Sequence, residues 1–237
     1  MNFKKILLGV IVIIILYLVY VFVFSDTTQQ LLYSGGNAKN AVTVKATKFP
    51  SNKASVDYTF SIWIYVNSWN YRYGSTKVIY QRADGNNTIF APKVSLGQST
   101  NKLQISMTSY PDSGVTKTPT ANDWDINNIP IQKWCNIIVS TNNRAVDTYI
   151  DGKLVNTNVL KGVPMTNKNY SALLCPGGGF SGEISKFKYF ARTISPREAY
   201  EIYREGPGGN WLSDLLNQYK LKMSFLKDNE EINSFEI

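Results

Sequence analysis

Hydrophobic and polar residues alternate most cleanly over 58–66, where Tyr58, Phe60, Ile62, Ile64 and Val66 fall on one face and Thr59, Ser61, Trp63 and Tyr65 on the other. A period of two marks a half-buried strand, here with one core face and one face that is only partly apolar. The series continues at 77–81, 88–96 and 102–110, with turns at Asp84-Gly85-Asn86 and Gly97-Gln98. Two further runs, 135–140 and 145–150, are separated by Thr141-Asn142-Asn143-Arg144, and Asp151-Gly152 leads directly into a third at 153–155. Asp-Gly between β-rich runs predicts a two-residue type I′ hairpin, because that turn needs φ > 0 at both central positions. Strands at 172–175 and 183–191, and a weaker one at 41–46, complete an antiparallel, all-β pattern.

Three stretches break it. Residues 111–130 carry no strand pattern and many Pro, Asp, Asn, Ser and Thr residues, so they read as a long loop of the kind that often carries binding. A second loop is expected at 161–170. Ser195-Pro196-Arg197-Glu198 is a capping box with Pro at the first helical position, which predicts a short helix from Pro196 to about Glu205. Beyond Gly206-Pro207-Gly208-Gly209, a second helical stretch at 210–218 places Trp211, Leu212, Leu215 and Leu216 on one face, and 219–225 with 232–237 reads as a closing hairpin.

The N-terminus follows a different rule. Residues 6–24 contain no charge, and nineteen helical residues span about 28 Å, close to the hydrocarbon thickness of a bilayer. The run is longer than the apolar part of a signal peptide and ends in Val-Phe-Val-Phe without a small-x-small site, so an uncleaved anchor is favoured. Lys4 and Lys5 precede it and no basic residue follows until Lys39, which places the N-terminus in the cytoplasm and the body across the membrane. The expected organisation is a cytoplasmic 1–5, a single span over 6–24, a polar tether over 25–40, a β-domain over 41–205, and a helix with hairpin over 206–237 packed on that domain.

Composition narrows the chemistry. The formal charge is +8, yet Lys and Arg are scattered singly with no basic run, so nucleic acid is not expected as a partner. The chain has no histidine, which excludes Ser-His-Asp and Cys-His nucleophiles and His-containing zinc sites. Its two cysteines permit one bridge, while Cys135 among Ile137 and Val139 also reads as a small buried hydrophobe.

The order of motifs adds a resemblance. A Trp134-led strand, the Ile150-Asp151-Gly152-Lys153-Leu154 hairpin, Gly179-Phe180-Ser181-Gly182-Glu183-Ile184 and Ile194-Ser195-Pro196-Arg197-Glu198 together resemble the laminin-G/pentraxin branch of concanavalin A-like jelly rolls. With the N-terminal span, Trp69-Asn70-Tyr71-Arg72-Tyr73-Gly74, Pro130-Ile131-Gln132-Lys133-Trp134 and Gly177-Gly178-Gly179-Phe180, the chain is also similar to membrane-anchored members encoded by large DNA viruses of algae and protists. This implies a jelly-roll sandwich of two antiparallel sheets, located in a virion membrane or an infected-cell membrane. The partner it implies is a capsid component or another virion membrane protein, or alternatively a glycan.

Glycosidases of that fold place carboxylates as Glu-x-Asp-x-Glu on one strand, and no such spacing occurs here, so no catalytic residues and no cofactor are expected. Asp123-Trp124-Asp125 could share a Ca²⁺, although Asp is common in loops because it caps turns, and no metal site is assigned. Gly177-Gly178-Gly179 reads as a turn, since no Lys-Ser/Thr follows. Trp69, Tyr71 and Tyr73 alternate, so an extended segment would put them on one side as a ligand-stacking platform; alternatively they close the end of the sandwich.

Overall fold

The computed structural model describes residues 28–50, 56–111 and 118–208, the backbone of 222–227 and 230–236, and helical residues at 12–13, 15–17 and 19. In chain order the strands are β1 (Gln29–Asn37), β2 (Val42–Val44), β3 (Tyr58–Ser68), β4 (Lys77–Ala83), β5 (Phe90–Leu96), β6 (Lys102–Ser109) and β7 (Thr120–Asn127). They continue with β8 (Trp134–Asn142), β9 (Ala145–Ile150), β10 (Lys153–Val159), β11 (Ser171–Leu174) and β12 (Ser181–Phe190), followed by helix α1 (Pro196–Arg204) and strands β13 (Lys222–Lys227) and β14 (Glu230–Glu236).

Two six-stranded antiparallel sheets form the body. Sheet A runs β1-β12-β3-β8-β9-β10 and sheet B runs β2-β11-β4-β5-β6-β7. The alternation of β3 is realised as expected: Tyr58, Phe60, Ile62, Ile64 and Val66 enter the main core between the sheets with Val94, Leu103, Ile105, Ile137 and Val139. Phe60 is its aromatic hub, with Phe187 stacked at 5.6 Å and Tyr80 at 5.5 Å. The Asp-Gly hairpin is left-handed at both positions, Asp151 at φ 50° and Gly152 at φ 73°, as a type I′ turn requires. The same Gly152 lets the helix approach, since a Cβ there would lie 3.0 Å from the Cα of Tyr200.

Two strands replace segments expected to be irregular. The tether over 25–40 is corrected, because Gln29–Asn37 pairs along β12 from Gln29↔Phe190 to Asn37↔Glu183. Of its side chains Leu32 is buried and the others are half-buried or exposed, so an edge strand held by its backbone shows no hydrophobic rhythm. The loop over 111–130 contains β7, the edge of sheet B, where Trp124 is buried and Ala121, Asp123, Asp125 and Asn127 point to solvent.

α1 begins with both halves of its capping box in place: Ser195 Oγ accepts from Glu198 N at 3.3 Å, and Ser195 N donates to Glu198 Oε2 at 2.8 Å. β13 and β14 form a hairpin of their own. The helical stretch expected at 210–218 lies outside the described residues, as does most of the span expected at 6–24. Among the described residues no helix is long and apolar enough to cross a membrane.

Candidate ligand groove on the outer face of sheet A

The second face of β3 is not an open sheet surface. α1 lies across it and builds a second core from Ile138, Tyr149, Phe190, Ile194, Ala199 and Ile202. The polar members of that face are hydrogen-bonded beneath the helix: Thr59 Oγ1 is 2.8 Å from Ser140 Oγ, and Asn136 Nδ2 donates to Ser61 Oγ at 3.3 Å. The face expected to be only partly apolar is buried at Thr59, Ser61 and Trp63.

Past the end of α1 the cover stops, and a groove of about 580 Å³ remains. Trp63, Tyr65, Trp134 and Tyr203 line it, with Lys133, Arg204, Gly206 and Pro207. Tyr65 and Trp134 are register partners on β3 and β8, their ring centroids 5.7 Å apart and tilted by 60°. Trp63, two residues back, stacks on Tyr203 of the helix at 5.7 Å with planes 20° apart. The helix terminus is fixed in turn by Lys188, which pairs with the Glu205 carboxylate, and by Ser185 Oγ, which donates to the Pro207 carbonyl at 2.6 Å.

Two cations stand among the rings. Lys133 is 65% exposed and its ammonium lies 3.9 Å from Asp151 Oδ2, a loose contact, while Arg204 is exposed at the last turn of α1. Among the described residues no carboxylate lines the groove. Glu183 is the register neighbour of Tyr65 and Asn37, so it has no second acid beside it across the sheet. Such a set can stack on apolar ring faces and donate hydrogen bonds; it offers no acid and nucleophile pair for glycoside hydrolysis.

The segment carrying Trp69, Tyr71 and Tyr73 is turned rather than extended, so the alternation that would unite the three rings is absent. Arg72 is left-handed at φ 52°, Tyr73 N donates to Asn70 O at 3.2 Å, and Ser75 N donates to Arg72 O at 3.0 Å. Trp69 folds against the main core with the Lys77 ammonium 5.2 Å from its ring, and its indole nitrogen is buried without a partner among the described residues. Tyr71 is half-buried beneath the Lys39 ammonium at 4.8 Å, and Tyr73 is 65% exposed. Arg72 ties this loop to the Gly-rich turn by donating to Gly179 O at 3.1 Å.

The remaining candidates are engaged elsewhere. Asp125 pairs with Lys102 at 2.6 Å, Asp123 shares the solvent side of β7 with it, and the described residues contain no cluster of three or more potential metal ligands. Cys135 and Cys175 are both buried free thiols. Sequence reasoning missed Tyr203 and Arg204, whose signal was the aromatic pair Tyr200 and Tyr203 three apart on a helix otherwise rich in charge.

A family model described as the concanavalin A-like lectin/glucanases superfamily matches residues 22–199. No curated protein matches the chain in sequence. Among solved structures, the botulinum neurotoxin serotype D ligand binding domain in complex with N-acetylneuraminic acid superposes with a TM-score of 0.55 at 13% identity, over 75% of this chain and 44% of that one. The binding domain of botulinum neurotoxin DC in complex with rat synaptotagmin II gives 0.51 at 16% identity, over 73% of this chain and 42% of that one. The chain thus spans less than half the length of each, and at these identities the likeness is one of fold.

Proposed function

Because the chain belongs to the concanavalin A-like lectin/glucanase superfamily, as a laminin G-like jelly roll, we propose that it is a lectin-type binding module that holds a saccharide in the groove of Trp63, Tyr65, Trp134 and Tyr203. The observation that carries this reading is the lining itself: the rings of Tyr65, Trp134 and Tyr203 beside the buried Trp63, with two cationic donors and, among the described residues, no carboxylate. Aromatic faces stack on the C–H faces of sugars, and Lys133 and Arg204 supply hydrogen-bond donors for hydroxyl or acidic substituents. Although the superfamily includes glucanases, the groove holds no acid pair, and binding without turnover is the activity proposed. The neurotoxin domain bound to N-acetylneuraminic acid supports a saccharide as a ligand class compatible with the fold. Tyr71 and Tyr73, which follow the far end of β3, are proposed as secondary contacts for a longer ligand, with Trp69 supporting them from below.

The uncharged run over 6–24 supports a single membrane span, so the module is proposed to act while moored to a bilayer. A second reading has a protein as partner. Among the described residues β10 is an edge strand of sheet A, and Leu154, Val155 and Val159 on it are 49%, 46% and 68% exposed, which suits strand addition. On that reading the module links the bilayer to a protein shell, in keeping with the resemblance to virus-encoded membrane proteins.

A glycan array probed with the full chain in detergent micelles separates the two. A specific hit weakened at least tenfold by Trp134→Ala and little by Leu154→Lys establishes the groove. Silence on the array, together with crosslinks from β10 to a protein, establishes the edge instead.

A further inference from the structure

The connection between the apolar run and the first strand is short. Three residues, 25–27, separate Phe24 from Thr28, so the two Cα atoms lie at most about 14 Å apart. Thr28 is already part of the domain: its carbonyl accepts from Ala191 N at 2.8 Å and its hydroxyl from Arg192 Nε at 3.2 Å. The next residue opens a register row that crosses the whole of sheet A, Gln29–Phe190–Thr59–Ser140–Asp147–Thr157. The groove belongs to another row, Asn37–Glu183–Tyr65–Trp134. Between the two rows β3 and β8 pair without interruption, and the six steps from Thr59 to Tyr65 span about 20 Å.

Resting on the reading that 6–24 crosses a bilayer, we propose that the sandwich stands on the lipid surface by the end that carries the β8–β9 turn and the start of α1, and holds the aromatic groove away from it. A leash of three residues gives little freedom to invert a domain whose first described residue is hydrogen-bonded to Ala191 and Arg192, just past β12. The lipid-facing end carries Lys161, with Arg144 held by the Leu160 and Lys161 carbonyls and Arg192 paired with Glu198. The groove is thereby offered to ligands in the space beyond the membrane or on a facing surface, and not to headgroups of its own bilayer.

The test uses the full chain in nanodiscs containing a headgroup-nitroxide lipid. Cys135 and Cys175 are buried, so a fluorophore can be placed at Asn142→Cys, beside the β8–β9 turn, or at Tyr73→Cys, beyond the far end of β3. The expected result is quenching several-fold stronger at position 142 than at 73, and loss of that difference when about twenty Gly-Ser residues are inserted after Asp26. Equal or reversed quenching with the native connection overturns the orientation. A chain that leaves the bilayer in alkaline carbonate overturns the anchor itself, an outcome read separately from the quenching.

Discussion

The indole of Trp63 on β3 lies nearly parallel to the ring of Tyr203 on α1, 5.7 Å centre to centre and 20° between planes. This contact joins the sheet to the last turn of the helix at the point where the helix stops covering the sheet, so it fixes one wall of the groove. Tyr203→Ala removes the stack and part of the apolar burial, with an expected cost of about 2 kcal/mol in denaturant unfolding. Tyr203→Phe keeps the ring and is expected to retain both stability and saccharide affinity. If the alanine variant unfolds at the wild-type midpoint, the ring contributes nothing to docking of α1.

At the other end of the same helix the capping box gives a pH dependence of defined sign. Partial burial raises the Glu198 carboxyl pKa, but the Ser195 amide and the Arg192 guanidinium more than offset this and hold it below the usual glutamate range. A depressed folded-state value means the contribution is complete above the ordinary carboxyl pKa and is lost as pH falls through the lowered one. Glu198→Gln is therefore expected to be less stable than the wild type at pH 7 and to converge with it in acid, as followed by urea midpoints across that window. Ser195→Ala is expected to cost about 1 kcal/mol at neutral pH.

What the sequence disclosed divides along physical lines. β3 was legible because its two faces differ in polarity, wholly apolar towards the main core and polar at Thr59 and Ser61 beneath α1, although both are buried. The Asp151-Gly152 turn and the Ser195–Glu198 box were legible because both are local chemistry. β1 and β7 were not, since each is an edge strand with one buried side chain, Leu32 or Trp124, and is held by backbone pairing that leaves no hydrophobic rhythm. The groove joins residues from 63 to 207, and such proximity is set by topology rather than spacing. Trp63 and Tyr65 were visible on the second face of β3, but nothing local announced that a helix ring would stack on the first of them. The alternation of Trp69, Tyr71 and Tyr73 misled because period two carries meaning only in extended backbone, and this segment turns.

The two cysteines make a test of the main core. Both are free and fully buried, and burial pushes the Cys175 thiol up to about 12 and raises that of Cys135 further, with Asp151 adding to the latter. Thiolate is the reactive form, so neither is expected to react with a disulfide reagent at pH 8 in the folded chain. Two equivalents are expected to titrate once the chain is unfolded in guanidinium. A count of zero after unfolding would instead reveal a bridge.

At Gly179 the backbone leaves no latitude for a side chain. It lies at φ +43°, and a Cβ there would stand 2.0 Å from Ala38 O and 2.7 Å from the Cys175 Cβ, so Gly179→Ala meets both a strained conformation and backbone it cannot displace. Gly177, two residues earlier, is also left-handed at φ +63° but faces open space. Gly177→Ala is therefore expected to cost about 1 kcal/mol, and Gly179→Ala at least about 3 kcal/mol. The difference has a consequence for the loops as well as for stability, because Gly179 O accepts from Arg72 and Phe180 N donates to Ala38 O at 3.2 Å. Displacing this turn should free the 69–76 loop and the residues after β1 together, read as faster amide exchange at Arg72, Tyr73 and Ala38. Exchange at Tyr65 and Trp134 should hold, since the register pairing of β3 with β8 does not pass through the turn.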